Sequence, residues 1–440
     1  VAAARLLLAE GRAVTAIDAA AGPKQAEAAA TLRAAGAGVR IGVPRDAAPA
    51  GTWSLVVASP GVPPSSPWIA APAAAGVPVI PEMELGWSRR GTARAVAITG
   101  SNGKSTAVKW LAESLTRAGL RAAIAGNYGP PVCDVVRGGA APDWLVLEVS
   151  SFQLETSREF RPDVGVILNV QPNHLDRHGT FDAYLRAKAR LFANTRPDDV
   201  RIVPFALREI AGDGAAGRRI TFGVETGADY RFAAGDVLAG GRMAASVRGT
   251  YFDNEILGLA AAAVTAAAEA CGAEGEAVAG AARAFEPLPH RLQTVAVSGG
   301  VRYVDDSKAT STASMIAALR MTPGPVRLIA GGRAKERDFS AVKDLLASRV
   351  EKVYLIGESA PGMEAAWSAS VPCEICGTLT AAVDAAHGDA RPGDVVLLSP
   401  ACASFDQYGN FGERGDEFLR RVRALMSAGE GSPNTTGEGR

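Results

Sequence analysis

Cysteine and histidine are scarce in this chain, with five of the one and four of the other among 440 residues. Cys133, Cys271, Cys373, Cys376 and Cys402 are too few and too irregularly placed for a disulfide scaffold. No charged-then-apolar leader opens the sequence, so a cytoplasmic, reducing compartment is expected. Cys373 and Cys376 form a C-x-x-C, but no second pair or nearby histidine completes a zinc site, and they read as structural or incidental. Excess charge is missing as well: 46 basic and 46 acidic residues leave a net charge of zero. No bulk field therefore draws in nucleic acid or an anionic membrane, and any bound anion must be held by a local site. Long apolar runs are also absent. The uncharged stretch from Thr52 to Pro81 is broken by Pro60, Pro63, Pro64, Pro67, Pro72 and Pro78, and the run from Ile256 to Ala268 is too short to span a bilayer.

What is present is chain enough for about three domains, at roughly 150 residues each. The first ninety or so residues alternate short β-branched runs (Ala13 to Ile17, Leu55 to Ala58, Val77 to Ile80) with Ala-rich helical ones such as Ala2 to Glu10 and Lys24 to Ala35. This rhythm predicts an α/β fold with a parallel sheet. A seam at Arg90 to Arg94 precedes a second α/β set, with strands expected at Ala95 to Thr99, Arg121 to Ala125, Trp144 to Val149 and Val164 to Val170. A third set follows Pro287-Leu288-Pro289, with strands at Arg302 to Val304, Val326 to Ala330, Lys352 to Ile356 and Val395 to Leu398 and helices at Ser311 to Arg320 and Phe339 to Leu346. The stretch from Gly429 to Arg440 lacks any apolar period and is expected to be disordered.

The strongest local signal is Thr99-Gly100-Ser101-Asn102-Gly103-Lys104-Ser105-Thr106, between an apolar strand and the helical run Ala107 to Arg117. Glycines let backbone N–H groups close around phosphate oxygens, the helix start adds a favourable dipole, Lys104 neutralises phosphate charge, and a Ser105 or Thr106 hydroxyl reaches Mg²⁺. A glycine turn with a chance lysine is the plain alternative; the flanking strand, helix and paired hydroxyls weigh against it. Glu148 lies inside the apolar strand Trp144 to Val149, where a lone carboxylate is costly to bury unless a cation meets it; Mg²⁺ or an ordinary salt bridge would serve. His174, just past Val164 to Val170, reads as a metal ligand or substrate contact, whereas His178 and His387 read as surface residues. Lys188, on an amphipathic helix, reads by default as part of a solvated face.

Asp18 and Ser59 follow strands, where open α/β sheets bind ligands, although an acidic residue there is as often an ordinary turn or cap. His290-Arg291 lies at the seam before the third set, where an arginine could reach a nucleotide. Asp305 to Ser311, Gly331 to Lys335 and Ser399 to Gln407 follow three strands of that set. Lys308, Lys335, Thr310 and Ser404 would together make a pocket for a carboxylate-bearing small molecule; separate turns and caps are the alternative.

These segments resemble the Mur ligase family, ATP-dependent amide-forming enzymes of peptidoglycan synthesis, from the Asp18 region to Arg420. Thr99 to Thr106 is similar to the family phosphate loop and Leu147 to Leu154 to its Mg²⁺ strand. Asn173 to Asp176 and Leu288 to Arg291 resemble the family broadly, while Asp306 to Thr310 and Ser399 to Gln407 are similar to the branch that adds D-glutamate. The resemblance implies a Rossmann-like UDP-substrate domain over 1–91, a central P-loop ATPase-type domain over 92–292 and a Rossmann-like glutamate domain over 293–428, ahead of the tail 429–440. It implies ATP with two Mg²⁺ ions, UDP-N-acetylmuramoyl-L-alanine and D-glutamate as substrates, a monomeric chain, and closure on ATP and substrate. By residue, Gly100, Asn102, Gly103, Lys104, Ser105, Thr106, Asn254, Arg291, Asp306 and Lys308 would bind ATP. Ser105, Thr106 and Glu148 would serve one Mg²⁺, and His174 with a carbamylated Lys188 the second. Asp18, Ser59 and Asn127 would contact the UDP-sugar, and Thr310, Lys335, Ser404 and Phe411 the glutamate. Three departures stand out. The family's first strand and Gly-rich turn are missing ahead of Val1, Ala19 and Ala20 replace a commonly basic position, and the usual His-Asn is Asp253-Asn254 with Leu257 in place of a second asparagine.

Overall fold

The computed structural model describes residues 1–139, 141–212, 216–335 and 338–430. It divides into two compact units, Val1–Phe285 and Glu286–Arg440.

The first unit begins with two separate two-stranded parallel ladders rather than the single sheet its rhythm suggested. β1 (Thr15–Ile17) pairs with β2 (Gly38–Arg40), and β3 (Val56–Ala58) with β4 (Val79–Pro81). Each ladder has its own apolar cluster, and helix Ala2–Ala9 feeds both: Ala4 and Leu8 join Leu32, Ala37 and Val39, while Ala2 and Leu6 join Leu55, Val57 and Ile80. One amphipathic helix with two apolar faces thus does the work of a shared sheet.

Nine strands follow in one sheet: β5 (Arg94–Thr99), β6 (Ala122–Gly126), β7 (Trp144–Glu148), β8 (Val164–Ile167), β9 (Val200–Pro204), β10 (Arg218–Gly223), β11 (Tyr230–Ala233), β12 (Asp236–Ala239) and β13 (Arg242–Ser246), in the order β13-β12-β11-β10-β9-β8-β5-β7-β6. β6 to β11 with β5 are parallel, and β12 and β13 close the edge as antiparallel hairpins. β5, β7 and β8 are buried on both faces, which is why their sequences are almost wholly apolar. The chain leaves β5 towards β7 and β6 but leaves β8 towards β9, so the order reverses between β5 and β8. Crevices at such points, beyond the carboxyl ends of the strands, are where open α/β sheets bind ligands. On one face Trp110 stacks on Phe252 at 3.7 Å between centroids and donates its indole N–H to Val278 O at 3.1 Å. The apolar run from Ile256 lies in helix Glu255–Ala270, whose many alanines allow close packing on the sheet. No described helix is long and apolar enough to cross a membrane.

The second unit carries β14 (Gln293–Ser298), β15 (Val301–Asp305), β16 (Val326–Gly331), β17 (Val350–Ile356), β18 (Cys373–Gly377) and β19 (Val395–Leu398), in the order β14-β15-β19-β16-β17-β18, parallel except for the edge strand β14. Several expectations shift. The strand expected to Val170 ends at Ile167, because Asn169 turns into the neighbouring loop. The helix expected from Ala107 already starts at Lys104, because Gly103 at φ 79° makes the turn that precedes it. Phe339 to Leu346 is a 3₁₀ turn at Ser340–Val342 followed by helix Lys343–Arg349. The last helix, Phe411–Glu430, runs through Gly429, and the rest of the expected disordered tail lies outside the described residues. Cys373 and Cys376 sit on the edge strand β18, and burial pushes both thiols up to about 11, away from thiolate chemistry. Trp110 is fully buried, so Trp110→Ala is expected to destabilise the first unit by about 3–5 kcal/mol; an unchanged urea midpoint would contradict this packing.

Candidate active site

The loop after β5 is held from the strand beside it. Asn169 Oδ1 accepts from the backbone N–H of Ser101 at 3.1 Å and of Asn102 at 2.9 Å, and its Nδ2 donates to Asn102 O at 3.1 Å. Ser101 Oγ donates to Gln171 O at 2.9 Å and lies 3.0 Å from Tyr184 Oη, while Asn102 Nδ2 donates to Gln171 Oε1 at 3.0 Å. Loops from both sides of the β5/β8 crevice are therefore locked together. Helix Lys104–Arg117 starts from this loop, so its N-terminal dipole faces the same place. Lys104 Nζ donates to Gly100 O at 2.9 Å and Ser101 O at 3.1 Å. Ser105 and Thr106, in the helix's first turn, are buried.

Lys188 reaches the same loop from helix Phe181–Ala189, and the solvated-face reading fails. It is 1% exposed; its Nζ donates to Gly100 O at 2.9 Å, contacts Thr99 Oγ1 at 3.4 Å and lies 4.5 Å over the Tyr184 ring. Burial, helped by the charge of Lys104 and opposed by that of Glu148, lowers its amine to about 6. Glu148, at the end of β7, is 2% exposed. Its Oε1 accepts from Asn127 Nδ2 at 2.7 Å, and its Oε2 is buried without a hydrogen-bond partner among the described residues. Gly126, at φ 101°, makes that approach possible, because a Cβ there would sit 2.5 Å from Glu148 O. Asn127 is therefore committed to Glu148 as well as being a candidate substrate contact.

His174 is exposed, in the left-handed region at φ 54°, with its ring 4.9 Å from Phe152. His178 is not a surface residue: its side chain is 3% exposed, Nε2 lies 3.0 Å from Ser151 Oγ and Nδ1 3.2 Å from Glu155 Oε1, and burial lowers its basicity. His387 is half-buried, its Nδ1 2.6 Å from Tyr303 Oη. Asp18 is exposed and caps a turn through Ala20 N–H at 2.8 Å, and Ser59 is exposed at the turn after β3. Asn254 caps helix Glu255–Ala270, its Oδ1 accepting from Leu257 N–H at 2.9 Å and its Nδ2 donating to Tyr251 O at 3.0 Å. The same side chain can cap a helix and stand at its N-terminus beside a ligand, so the cap is its structural role here.

In the second unit β15, β19 and β16 are neighbours, so the three polar clusters leave adjacent strand ends. Asp306 is buried; its Oδ2 accepts from Ser399 Oγ at 3.0 Å and its Oδ1 from Leu292 N–H at 3.2 Å, and burial raises its carboxyl to about 7. Lys335 Nζ lies 3.5 Å from Thr310 Oγ1, and Lys308 Nζ lies 5.0 Å over the Phe411 ring. Ser404 is buried and its carbonyl accepts from Tyr408 N–H at 2.8 Å. Arg291 lies close enough to Asp306 to favour its charged form. Arg414, which the sequence did not single out, is buried and ties the clusters together, donating to Ser307 Oγ at 3.0 Å, Ser307 O at 2.8 Å and Cys402 O at 3.0 Å.

Two family models match the chain: the Mur ligase middle domain over residues 98–253 and the Mur ligase glutamate ligase domain over residues 290–402. A protein of Nitratidesulfovibrio vulgaris named UDP-N-acetylmuramoylalanine--D-glutamate ligase is 40% identical over 429 residues, covering 97% of this chain and 94% of its own. The chain belongs to the Mur ligase family. A relative of the same name from Acidobacterium capsulatum is 38% identical over 396 residues, covering 85% of this chain and 83% of its own. Among solved structures, a MurF ligase from Thermotoga maritima in complex with ADP superposes with a TM-score of 0.62 at 17% identity, covering 85% of this chain and 94% of that one. At that identity the likeness is one of fold.

The residues of this Mur ligase fit ATP: loop N–H groups, a helix start and Lys104 suit phosphates, and it uses ATP as its family does. They also fit a hard divalent cation. Glu148 Oε2 is a buried carboxylate oxygen without a donor among the described residues, as a ligand to Mg²⁺ would be, with phosphate oxygens and water left to complete the sphere. Asn169, Gln171 and Tyr184 went unread as functional residues, although Asn169 and Gln171 stand in the polar run that ends in His174. The Lys188 amine is expected to titrate with a midpoint near 6 in metal-free protein, followed by ¹⁵N NMR. Lys104→Met removes a repelling cation and should raise that midpoint, whereas Glu148→Gln removes an attracting anion and should lower it. A midpoint at the ordinary lysine value would contradict the burial.

Proposed function

We propose that this Mur ligase joins D-glutamate to UDP-N-acetylmuramoyl-L-alanine at the expense of ATP, in cytoplasmic peptidoglycan precursor synthesis. The observation that carries the reading is the meeting, at one phosphate loop, of Lys104, the buried Lys188 amine and the half-satisfied Glu148 carboxylate. The D-glutamate branch is supported by relatives of that name matched over nearly the full chain. The Asp306 to Thr310 and Ser399 to Gln407 strand ends of the second unit support it independently of the phosphate loop.

The chemistry needs no nucleophilic side chain. The substrate carboxylate attacks the γ-phosphorus of ATP, the bond to the bridging oxygen breaks, and ADP leaves behind an acyl phosphate. The neutral amine of D-glutamate then attacks the acyl carbon, the C–O bond to phosphate breaks, and the amine proton goes to solvent. Catalysis is placement and charge stabilisation. Gly100, Asn102, Gly103 and Lys104 hold the phosphates, with Lys104 stabilising the group in transfer. Ser105 or Thr106 and Glu148 would hold one Mg²⁺, and His174 with Lys188 the second; bound Mg²⁺ neutralises phosphate charge. A lysine ammonium cannot ligate a cation, but a neutral amine adds carbon dioxide, releases a proton and becomes an anionic carbamate. A Lys188 amine lowered to about 6 is neutral at pH 7 and so is available for that addition.

Asp18 and Ser59, in the span 1–91, and Asn127, just past the edge strand β6 in the span 92–292, serve the UDP-sugar. Asn254, Arg291, Asp306 and Lys308 serve the nucleotide, and Thr310, Lys335, Ser404 and Phe411, in 293–428, serve glutamate. The enzyme acts as a monomer on small molecules.

Phosphate release from ATP with Mg²⁺ is expected to require both UDP-N-acetylmuramoyl-L-alanine and D-glutamate, with L-glutamate inert. Lys104→Ala should lower kcat by about 10²–10³, the usual loss when a group that stabilises transition-state charge is removed. Release that ignores the UDP-sugar, or that a folate substrate supports in its place, would overturn the assignment.

A further inference from the structure

Helix Leu175–His178 is a single turn that follows directly on His174. So short a helix has little stability of its own, and its place is set by what its last two side chains grip. Glu155 takes both. Its Oε2 accepts from Arg177 Nη2 at 2.7 Å and Nε at 3.2 Å, while its Oε1 lies 3.2 Å from His178 Nδ1. Phe152 fills the space between them, with the Arg177 guanidinium 4.9 Å from its ring centre and the His174 ring also at 4.9 Å. One further bond leaves this cluster: Arg177 Nη2 donates to Val62 O at 3.3 Å. Val62 closes the turn after β3, its N–H donating to Ser59 O at 3.0 Å. The Arg177 side chain is only 16% exposed and Glu155 14%, so these contacts are shielded from water.

We propose that Arg177 is a positioning residue that couples the Ser59–Val62 turn to the placement of His174, so that the UDP-sugar and a divalent cation strengthen each other's binding. The proposal rests on the roles given above to Ser59 and His174. The guanidinium is one rigid plane that holds Val62 O, Glu155 and the Phe152 face at once. When substrate fixes the turn, Arg177 is fixed with it, and so is the ring against which His174 packs. A lysine is a point charge on a flexible stem and holds one of these partners at a time. Because the coupling is one of equilibria, it is reciprocal: the cation tightens the UDP-sugar by the factor by which the UDP-sugar tightens the cation.

The test uses the full chain and Mn²⁺, read by the electron paramagnetic resonance of the free ion, with and without UDP-N-acetylmuramoyl-L-alanine and without ATP or glutamate. The wild type is expected to bind Mn²⁺ at least ~5-fold more tightly when the UDP-sugar is present. Arg177→Lys and Glu155→Gln, each checked by circular dichroism, should bring that factor close to one. An Arg177 that only braces the fold would lower the melting temperature and leave the factor intact. Variants that keep the full factor overturn the coupling, as does a wild type that binds both ligands independently. A wild type that binds only one ligand or neither overturns the reading of Ser59 and His174, and the coupling with it.

Discussion

The site depends on charge buried where three parallel strands end. Lys188 and Glu148 are almost fully enclosed beside the loop that carries Lys104. Burial disfavours a lone charge, and the protein answers in two ways. It lowers the Lys188 amine to about 6, and among the described residues it gives a hydrogen-bond partner to only one oxygen of Glu148. A fully paired cluster would be a stable piece of core. This one keeps a carboxylate oxygen with no hydrogen-bond partner among the described residues and an amine held only by neutral oxygens.

The scaffold that permits this is the reversal of strand order between β5 and β8. Phosphate loops are made of small residues and have few side chains with which to anchor themselves. Here the anchors come from the next strand: Asn169 and Gln171 hold Ser101 and Asn102 through backbone and side chain alike. The second unit solves a similar problem with β19 set between β15 and β16 and with Arg414 tying their loops. In both units the sheet core fixes strand ends, and the loops borrow their rigidity from one another.

Much of this was legible in the sequence because parallel strands buried on both faces read as unbroken apolar runs, and β5, β7, β16 and β19 were found within two residues of their ends. The phosphate loop and Glu148 stood out for the same reason, as polar residues against apolar strands. The stretch from 200 to 246 was not read, although two hairpin signals were there. Gly240-Gly241 supplies two consecutive left-handed residues, and Ala234-Gly235 does so with an alanine at φ 50°. Lys188 was misread from charge alone. Its spacing with Tyr184, Ala187 and Leu191 puts it on the buried stripe of its helix. The pairing of His178 with Ser151 and Glu155 joins residues 23 to 27 positions apart and leaves no local pattern to find.

The proposed chemistry requires the Lys188 amine to be neutral beside the phosphate loop. The most direct measurement is ¹³C NMR of the protein in [¹³C]bicarbonate above pH 7, with wild type and Lys188→Ala compared. A carbamate resonance is expected in the wild type that is missing from the variant, whose lost activity short carboxylates partly restore. No carbamate resonance in a wild type that stays fully active without carbon dioxide would contradict it.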